Sequence, residues 1–340
     1  MADFKLRHAK YYMNDIHANS EKFELDARQC RRYTGFMSAL AATLRYPNSG
    51  LATALVVAAS LCFGIVPLFA RWLLAAGLSP EAIAIYRFGL TLLVALPFFP
   101  RQSHKLRSAL WLIGAGYLMG LGWTTYVRAI EIVPLASAGV IYMSYPLFVV
   151  VFARFLLRQA MTWRALLAAA LVVLAAATAL APGAIDGEQA MALLLCLPAP
   201  LSFALVIIVI VSLSLRLTAI ERICCTSLGA VAALLPGVLA QDPASVLPPD
   251  VETWFLVAVM ALATATLPQI VYVMASPQIG PARAAVAGAV ELPTMMMVGW
   301  LVFGESLGLP EALAAGLILA AILLAPAARR GQAVVSAPKS

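Results

Sequence analysis

From Leu51 onward the chain alternates between long apolar stretches and short polar breaks. Apolar runs occupy about 51–70, 82–99, 109–127, 135–156, 165–181, 190–213, 223–240, 254–274, 283–303 and 308–325, separated by Pro, Gly and clusters of charge. An α-helix needs about 20 apolar residues to cross hydrocarbon, and only helices and closed barrels satisfy their backbone groups there. The pattern predicts an all-α polytopic membrane protein with ten transmembrane helices.

The stretch Pro281 to Pro326 holds two of these runs, joined by the polar hinge Gly304-Glu305-Ser306, with Glu291 and Pro293 inside the first. A rough double lies 147 residues upstream, where Pro134 matches Pro281, Pro146 matches Pro293 and Arg158 matches Glu305. That offset pairs runs four and five with runs nine and ten, so each repeat contains five helices. An odd number forces the second copy to enter the membrane from the opposite face, which predicts two inverted five-helix repeats. The expected layout is a cytoplasmic, largely disordered tail over 1–50, repeats over 51–182 and 188–326, and a cytoplasmic tail over 327–340.

Loop charges orient the chain. Arg101, Lys105 and Arg107 fall between runs two and three, Arg158 and Arg164 between four and five, and Arg216 and Arg222 between six and seven; Arg283 starts run nine and Arg329, Arg330 and Lys339 follow run ten. If all ten runs cross, every one lies on the side of the basic N-terminal tail, which places both termini in the cytoplasm. The remaining loops carry Glu81, Glu131, Asp186, Glu188, Asp242, Asp250, Glu252 and Glu305, with Arg71 and Arg128 as exceptions near the ends of runs.

Composition agrees with a membrane class: 63% of residues are hydrophobic and 11% charged, with mean hydropathy +0.92, against about a quarter charged in a soluble domain. The net charge of +7 therefore reads as cytoplasmic-side Lys and Arg rather than as affinity for nucleic acid. Cys30, Cys62, Cys196, Cys224 and Cys225 form no CxxC, and His8, His17 and His104 lie in the tail or a loop, so neither a metal site nor a cofactor is expected.

Ionisable residues within hydrocarbon are costly, about 3 kcal/mol at the centre on insertion scales, and usually mark a pathway. Glu291 stands about eight residues into run nine, close to the midplane, and Pro293 is expected to free the Ala289 carbonyl toward a cavity. Glu291 either binds a substrate ammonium or carries a coupling proton, or else it serves an interhelical hydrogen bond or a permanent Arg pair. Arg87, in run two, either forks onto a substrate carboxylate or snorkels or pairs with an acid such as Glu131. Arg128 and Glu131, three residues apart, are expected to form an interfacial ion pair.

Aromatic residues offer a pocket wall. Trp123 and Tyr126 share one helix face and Tyr142 and Tyr145 another, with Tyr86, Tyr272 and Trp300 as further candidates. For Tyr142 and Tyr145, deep and just before Pro146, the pocket reading leads; for Trp123, Tyr126 and Tyr272 interfacial anchoring or packing competes with it. Met295, Met296 and Met297 are an adaptable wall or ordinary packing. Gly120 and Gly122 let backbones approach, or bend during gating, as Pro146 and Pro293 would.

Phe63-Gly64, Ser79-Pro80 with Arg87, Tyr145-Pro146, and Pro293 with Gly304-Glu305 appear in an order that resembles the EamA branch of the drug/metabolite transporter superfamily over about residues 51–326. Leu157-Arg158-Gln159 departs from the Gly-Glu hinge of that family, and helix six lacks its Trp-Gly pair. The resemblance implies a basket of helices around a central cavity that moves a small organic solute: an exporter of amino acids or related metabolites in the inner or plasma membrane, or an importer of a vitamin, nucleobase or cofactor-like solute. Protons are a candidate coupling ion, and the oligomeric state is open, a monomer being compatible. A membrane-embedded enzyme is the competing class, but no histidine lies within a run and no DxxD or HExxH pattern occurs.

Overall fold

The computed structural model describes residues 49–132, 139, 141–159, 162–179, 187–304 and 309–325. The expected tails, Pro134, Glu305 and the side chain of Glu131 lie outside the described residues. Every described element is helical: α1 Ser49–Gly64, α2 Val66–Ala75, α3 Pro80–Ala95, α4 Ser103–Ile132, α5 Tyr145–Leu156, α6 Trp163–Ala179, α7 Gly187–Leu195, α8 Pro198–Ile208, α9 Ala219–Leu239, α10 Pro243–Val246, α11 Val251–Ala261, α12 Leu267–Ile279, α13 Pro281–Gly288, α14 Glu291–Phe303 and α15 Leu309–Leu324, with short 3-10 or π turns at 96–98, 209–213 and 262–266.

Six continuous helical segments are long and apolar enough to cross a membrane: Ser49–Ala75, Pro80–Phe98, Met191–Leu213, Ala219–Leu239, Val251–Ile279 and Pro281–Phe303. Tyr145–Leu156, Trp163–Ala175 and Ala312–Leu324 are shorter apolar helices. The 30-residue α4 rises about 45 Å at 1.5 Å per residue.

Helix starts follow local chemistry. Ser79 caps α3, its Oγ accepting from the Ala82 amide at 3.3 Å, with Pro80 following, where the missing N–H costs nothing. Thr218 and Glu221 form a reciprocal capping box at α9. At the start of α11 the Thr253 amide and hydroxyl donate to Asp250 Oδ1 at 2.7 and 2.8 Å. These bonds hold the Asp250 carboxyl below its ordinary value.

Packing between the two halves is reciprocal. The α1 helix packs on α12, α13 and α14 (runs eight and nine), and α8 packs on α4 and α5 (runs three and four). Likewise α4 packs on α9 while α11 packs on α3, and α6 packs on α15. A contact that recurs with the halves exchanged is what a two-fold axis produces.

The repeat register differs by one residue from the sequence match. Tyr145 opens α5 and Glu291 opens α14, a spacing of 146 rather than 147. Pro146 is then the second residue of its helix and Pro293 the third; first-turn amides lack an intrahelical acceptor, so proline is tolerated at either place. After these helices Arg158 (φ 52°) and Gly304 (φ 66°), also 146 apart, both enter the left-handed region. The hinge geometry is therefore kept where the glycine is not.

The structure corrects the expectation for Ala289 and gives partners to two arginines. The Ala289 carbonyl is not free, since the Leu292 amide donates to it at 3.1 Å as the chain tightens ahead of Pro293. Arg128 donates through Nε to Glu81 Oε1 at 3.0 Å, so its ion pair joins α4 to α3; Glu81 is buried at the α3 start, where unpaired amides also favour its charge. Arg222 is not a free loop cation either: it is buried, with Nε 3.1 Å from both the Ser214 and Leu217 carbonyls, where the last turn of the preceding helix leaves acceptors unfilled.

At Gly120 an added Cβ would meet the Ala230 carbonyl and Cα of α9, so the glycine serves close packing within an unbroken helix. Gly120→Val is expected to destabilise by about 1–3 kcal/mol in thermal melts of purified protein, whereas Gly114→Ala, where a Cβ meets nothing within 4 Å, leaves the melting point unchanged or higher. Arg158→Gly, which relieves left-handed backbone strain, is expected to stabilise by about 0.5–1 kcal/mol in the same assay.

Candidate functional site

A cavity lies where α1, α3, α4, α8, α12 and α14 meet. Of the residues predicted from sequence, Arg87, Trp123, Tyr126, Tyr142, Tyr272, Glu291 and Met295 line it. The structure adds Phe63, Ser202, Phe203 and Gln269, among others.

Glu291 is the first residue of α14 and only 3% exposed. It is brought to the cavity because Gly64 at the end of α1 has no side chain: a Cβ there would strike Thr294 and the Glu291 carbonyl. Around its carboxylate stand Arg87, Tyr126, Tyr142, Tyr145 and Tyr272, each near enough to interact with it electrostatically. Among the described residues the ion pairs are Lys105–Glu221, at 2.7 Å, and Arg128–Glu81, so neither Glu291 nor Arg87 is paired.

Arg87 stands on α3 with its guanidinium carbon 4.9 Å from the Trp123 ring centroid and 5.5 Å from that of Phe88. Its Nε is buried without a hydrogen-bond partner, so the aromatic faces stabilise the charge while a donor stays unused. The Thr91 hydroxyl, one turn on, donates to the Arg87 carbonyl at 3.0 Å and lies 2.8 Å from the Thr266 hydroxyl. That buried pair ties α3 to the π turn at 262–266, the type of local irregularity that often accompanies functional sites.

The opposite wall is a cluster of rings. Tyr142 lies 5.4 Å from Tyr126, 5.6 Å from Tyr145 and 5.6 Å from Phe203, and Phe203 meets Tyr145 edge-on at 4.9 Å. Two of these phenols differ in kind. Tyr145 is fully buried and donates to the Ala285 carbonyl at 3.0 Å, passing so close to Gly288 that a Cβ there would clash with its hydroxyl. It joins α5 to α13 behind the cavity, while Tyr142 stands in front.

Trp300 is brought elsewhere: at the far end of α14 it is 49% exposed, on the apolar outer surface. Gly122 faces Ser202 and Ala199 of α8, and Pro146 is buried at the start of α5. Met295 lines the cavity, Met296 is buried and Met297 is 53% exposed, because consecutive helical residues point about 100° apart.

Gln269 escaped the sequence reading because an uncharged amide in an apolar run costs little and carries no charge signal. Phe63 and Phe203 were invisible for a plainer reason: an apolar residue inside an apolar run is the background. The signal that could have found Gln269 is its spacing three residues before Tyr272, on one helix face.

Apolar helices arranged about an apolar, partly aromatic cavity that contains two unpaired opposite charges are the features of a polytopic membrane protein with room for a small solute. The chain matches the EamA-like transporter family over residues 50–181 and 190–325, and it belongs to that family: a membrane transporter of the drug/metabolite transporter superfamily, not an enzyme. The two matched stretches correspond to the two halves. Among solved structures, one crystal structure of a protein matches with TM-score 0.64 at 16% identity, covering 81% of this chain and 96% of that one, which is a likeness of fold. Among curated proteins no match was found.

Removing only the hydroxyl in Tyr145→Phe is expected to cost about 1 kcal/mol, read as a lower melting temperature of the purified protein, because α5 loses its bond to α13.

Proposed function

We propose that this chain is a ten-helix secondary carrier of the inner or plasma membrane that exports amino acids or related small metabolites by alternating access, with two five-helix repeats of opposite orientation moving about the cavity. The observation that carries this reading is the pair of unpaired, opposite charges, Arg87 and Glu291, in one aromatic chamber contributed by both repeats. An ammonium group fits Glu291 and a carboxylate fits the Arg87 fork. The reciprocal packing of the halves supports exchange between two related states, since a two-fold related pair of repeats has the same contacts available at either end.

Protons are the proposed coupling ion, with Glu291 as the group that holds one when no ammonium is present. The loop charges support cytoplasmic termini. A flat solute such as a nucleobase or vitamin, carried inward, is the second reading; the aromatic lining favours it.

Counterflow in proteoliposomes tests the carrier reading, because saturable trans-stimulation by unlabelled solute is a property of a carrier and not of a pore. Glu291→Gln is expected to reduce amino-acid exchange at least tenfold and to flatten its pH profile. An unchanged rate and profile would remove Glu291 from the pathway. Arg87→Lys keeps the charge but loses the fork, and is expected to weaken solute affinity.

A further inference from the structure

The cavity wall repeats itself. Phe63 and Val66 line it from α1 and the short helix that follows, and Phe203 and Val206, 140 residues on, line it from α8. Trp123 and Tyr126 line it from α4, and Gln269 and Tyr272, 146 residues on, line it from α12. The second spacing is the one that relates the starts of α5 and α14, so Tyr126 and Tyr272 occupy equivalent places in the two halves.

Both phenols share a second property. Tyr126 is 6% exposed and Tyr272 5%, and both hydroxyls are buried with no hydrogen-bond partner. Buried tyrosine hydroxyls ordinarily find one. Tyr145, in the same cluster, does so through Ala285. Two equivalent residues that line one cavity and whose hydroxyls have no partner in the protein are placed for a partner that arrives with the solute.

The two places differ in their electrostatic surroundings. Tyr126 stands one turn along α4 from Trp123, whose ring centroid is 4.9 Å from the Arg87 guanidinium carbon, and is in the field of Glu291, Arg71 and Arg87, whereas the charge acting on Tyr272 is that of Glu291. A phenol hydroxyl donates to an acid and accepts from an ammonium, so one residue type can serve both ends of a dipolar solute. The departures from symmetry supply direction: Arg87 and Trp123 come from the first repeat, Glu291 and Gln269 from the second.

We propose that Tyr126 and Tyr272 are symmetry-related solute-binding residues that determine specificity, Tyr126 hydrogen-bonding the acid end of a dipolar aromatic solute beside Arg87 and Tyr272 its donor end beside Glu291. This rests on the carrier reading above. The site then accepts a solute with a flat body between Phe63 and Phe203 and a polar group at each end, and disfavours one lacking either group, because its hydroxyl would remain unpaired in a water-poor chamber.

Tyr126→Phe and Tyr272→Phe test the assignment with L-phenylalanine as the counterflow probe and 3-phenylpropionate and phenethylamine as acid-only and amine-only inhibitors. Each variant is expected to keep or raise the melting point of the solute-free protein, since no protein hydrogen bond is lost, and to raise half-saturation for L-phenylalanine about tenfold, as expected for one buried hydrogen bond. Tyr126→Phe should weaken inhibition by 3-phenylpropionate alone, and Tyr272→Phe inhibition by phenethylamine alone. A lower solute-free melting point in either variant, or unchanged half-saturation in both, overturns the role of the hydroxyls. Equal effects on both inhibitors, or no inhibition by either in the wild type, overturns the assignment of ends. A wild type that exchanges no L-phenylalanine overturns the solute class under the carrier reading and this assignment with it.

Discussion

Hydrocarbon offers no water to a polar group, and that absence organises the whole molecule. Backbone amides of the apolar segments are taken up in helices, and hydroxyls such as those of Thr53, Thr226 and Thr294 donate to carbonyls four residues back. Charges find neighbours at the helix ends: Lys105 with Glu221, Arg128 with Glu81, Arg222 with carbonyls. Among the described residues, Ser60, Arg87, Tyr126, Ser227, Tyr272, Ser276 and Arg283 keep a buried polar atom without a partner, and of these Arg87, Tyr126 and Tyr272 line a common cavity with Glu291. A buried charge left unpaired is costly, and the cavity is what makes the arrangement tolerable, because it can hold water or a solute in turn.

The same constraint explains where the chain breaks. A helix can be interrupted in a membrane only where neighbouring protein or a cavity takes over the freed groups. The turns before Tyr145 and Glu291 are therefore tight, with Leu147 bonded to Ser144 and Leu292 to Ala289, and each break adjoins the chamber. Gly64 on one side and Gly288 on the other remove the side chains that would hold these breaks apart. Access to Glu291 thus depends on two residues that carry no chemistry of their own.

Symmetry and chemistry are divided between positions. At the 146-residue spacing Tyr126 corresponds to Tyr272, whereas Trp123 corresponds to Gln269 and Tyr145 to Glu291; Phe63 and Phe203, 140 apart, both line the cavity. The shared residues give both halves one shape, and the unshared ones give the chamber a positive and a negative side.

Much of this could be read from the chain alone. Apolar runs of membrane-crossing length, the doubled hairpin and the lone intramembrane acid are properties of spacing and hydropathy, and these are local: they depend on the residue and its near neighbours. The positions of Glu291 and Arg87 were legible because a charge in hydrocarbon is rare. What the chain could not reveal was which tyrosine lines the cavity and which is bonded within the protein, since Tyr145 and Tyr142 differ in whether the Ala285 carbonyl, 140 residues from Tyr145, is within reach. Nor could it reveal that Arg128 would pair with Glu81, 47 residues away, or that Gln269 would join the wall. Hydropathy decides that a segment enters the membrane; the close approach of helices from two distant repeats decides which of its faces meets the cavity, and only the folded chain contains that information.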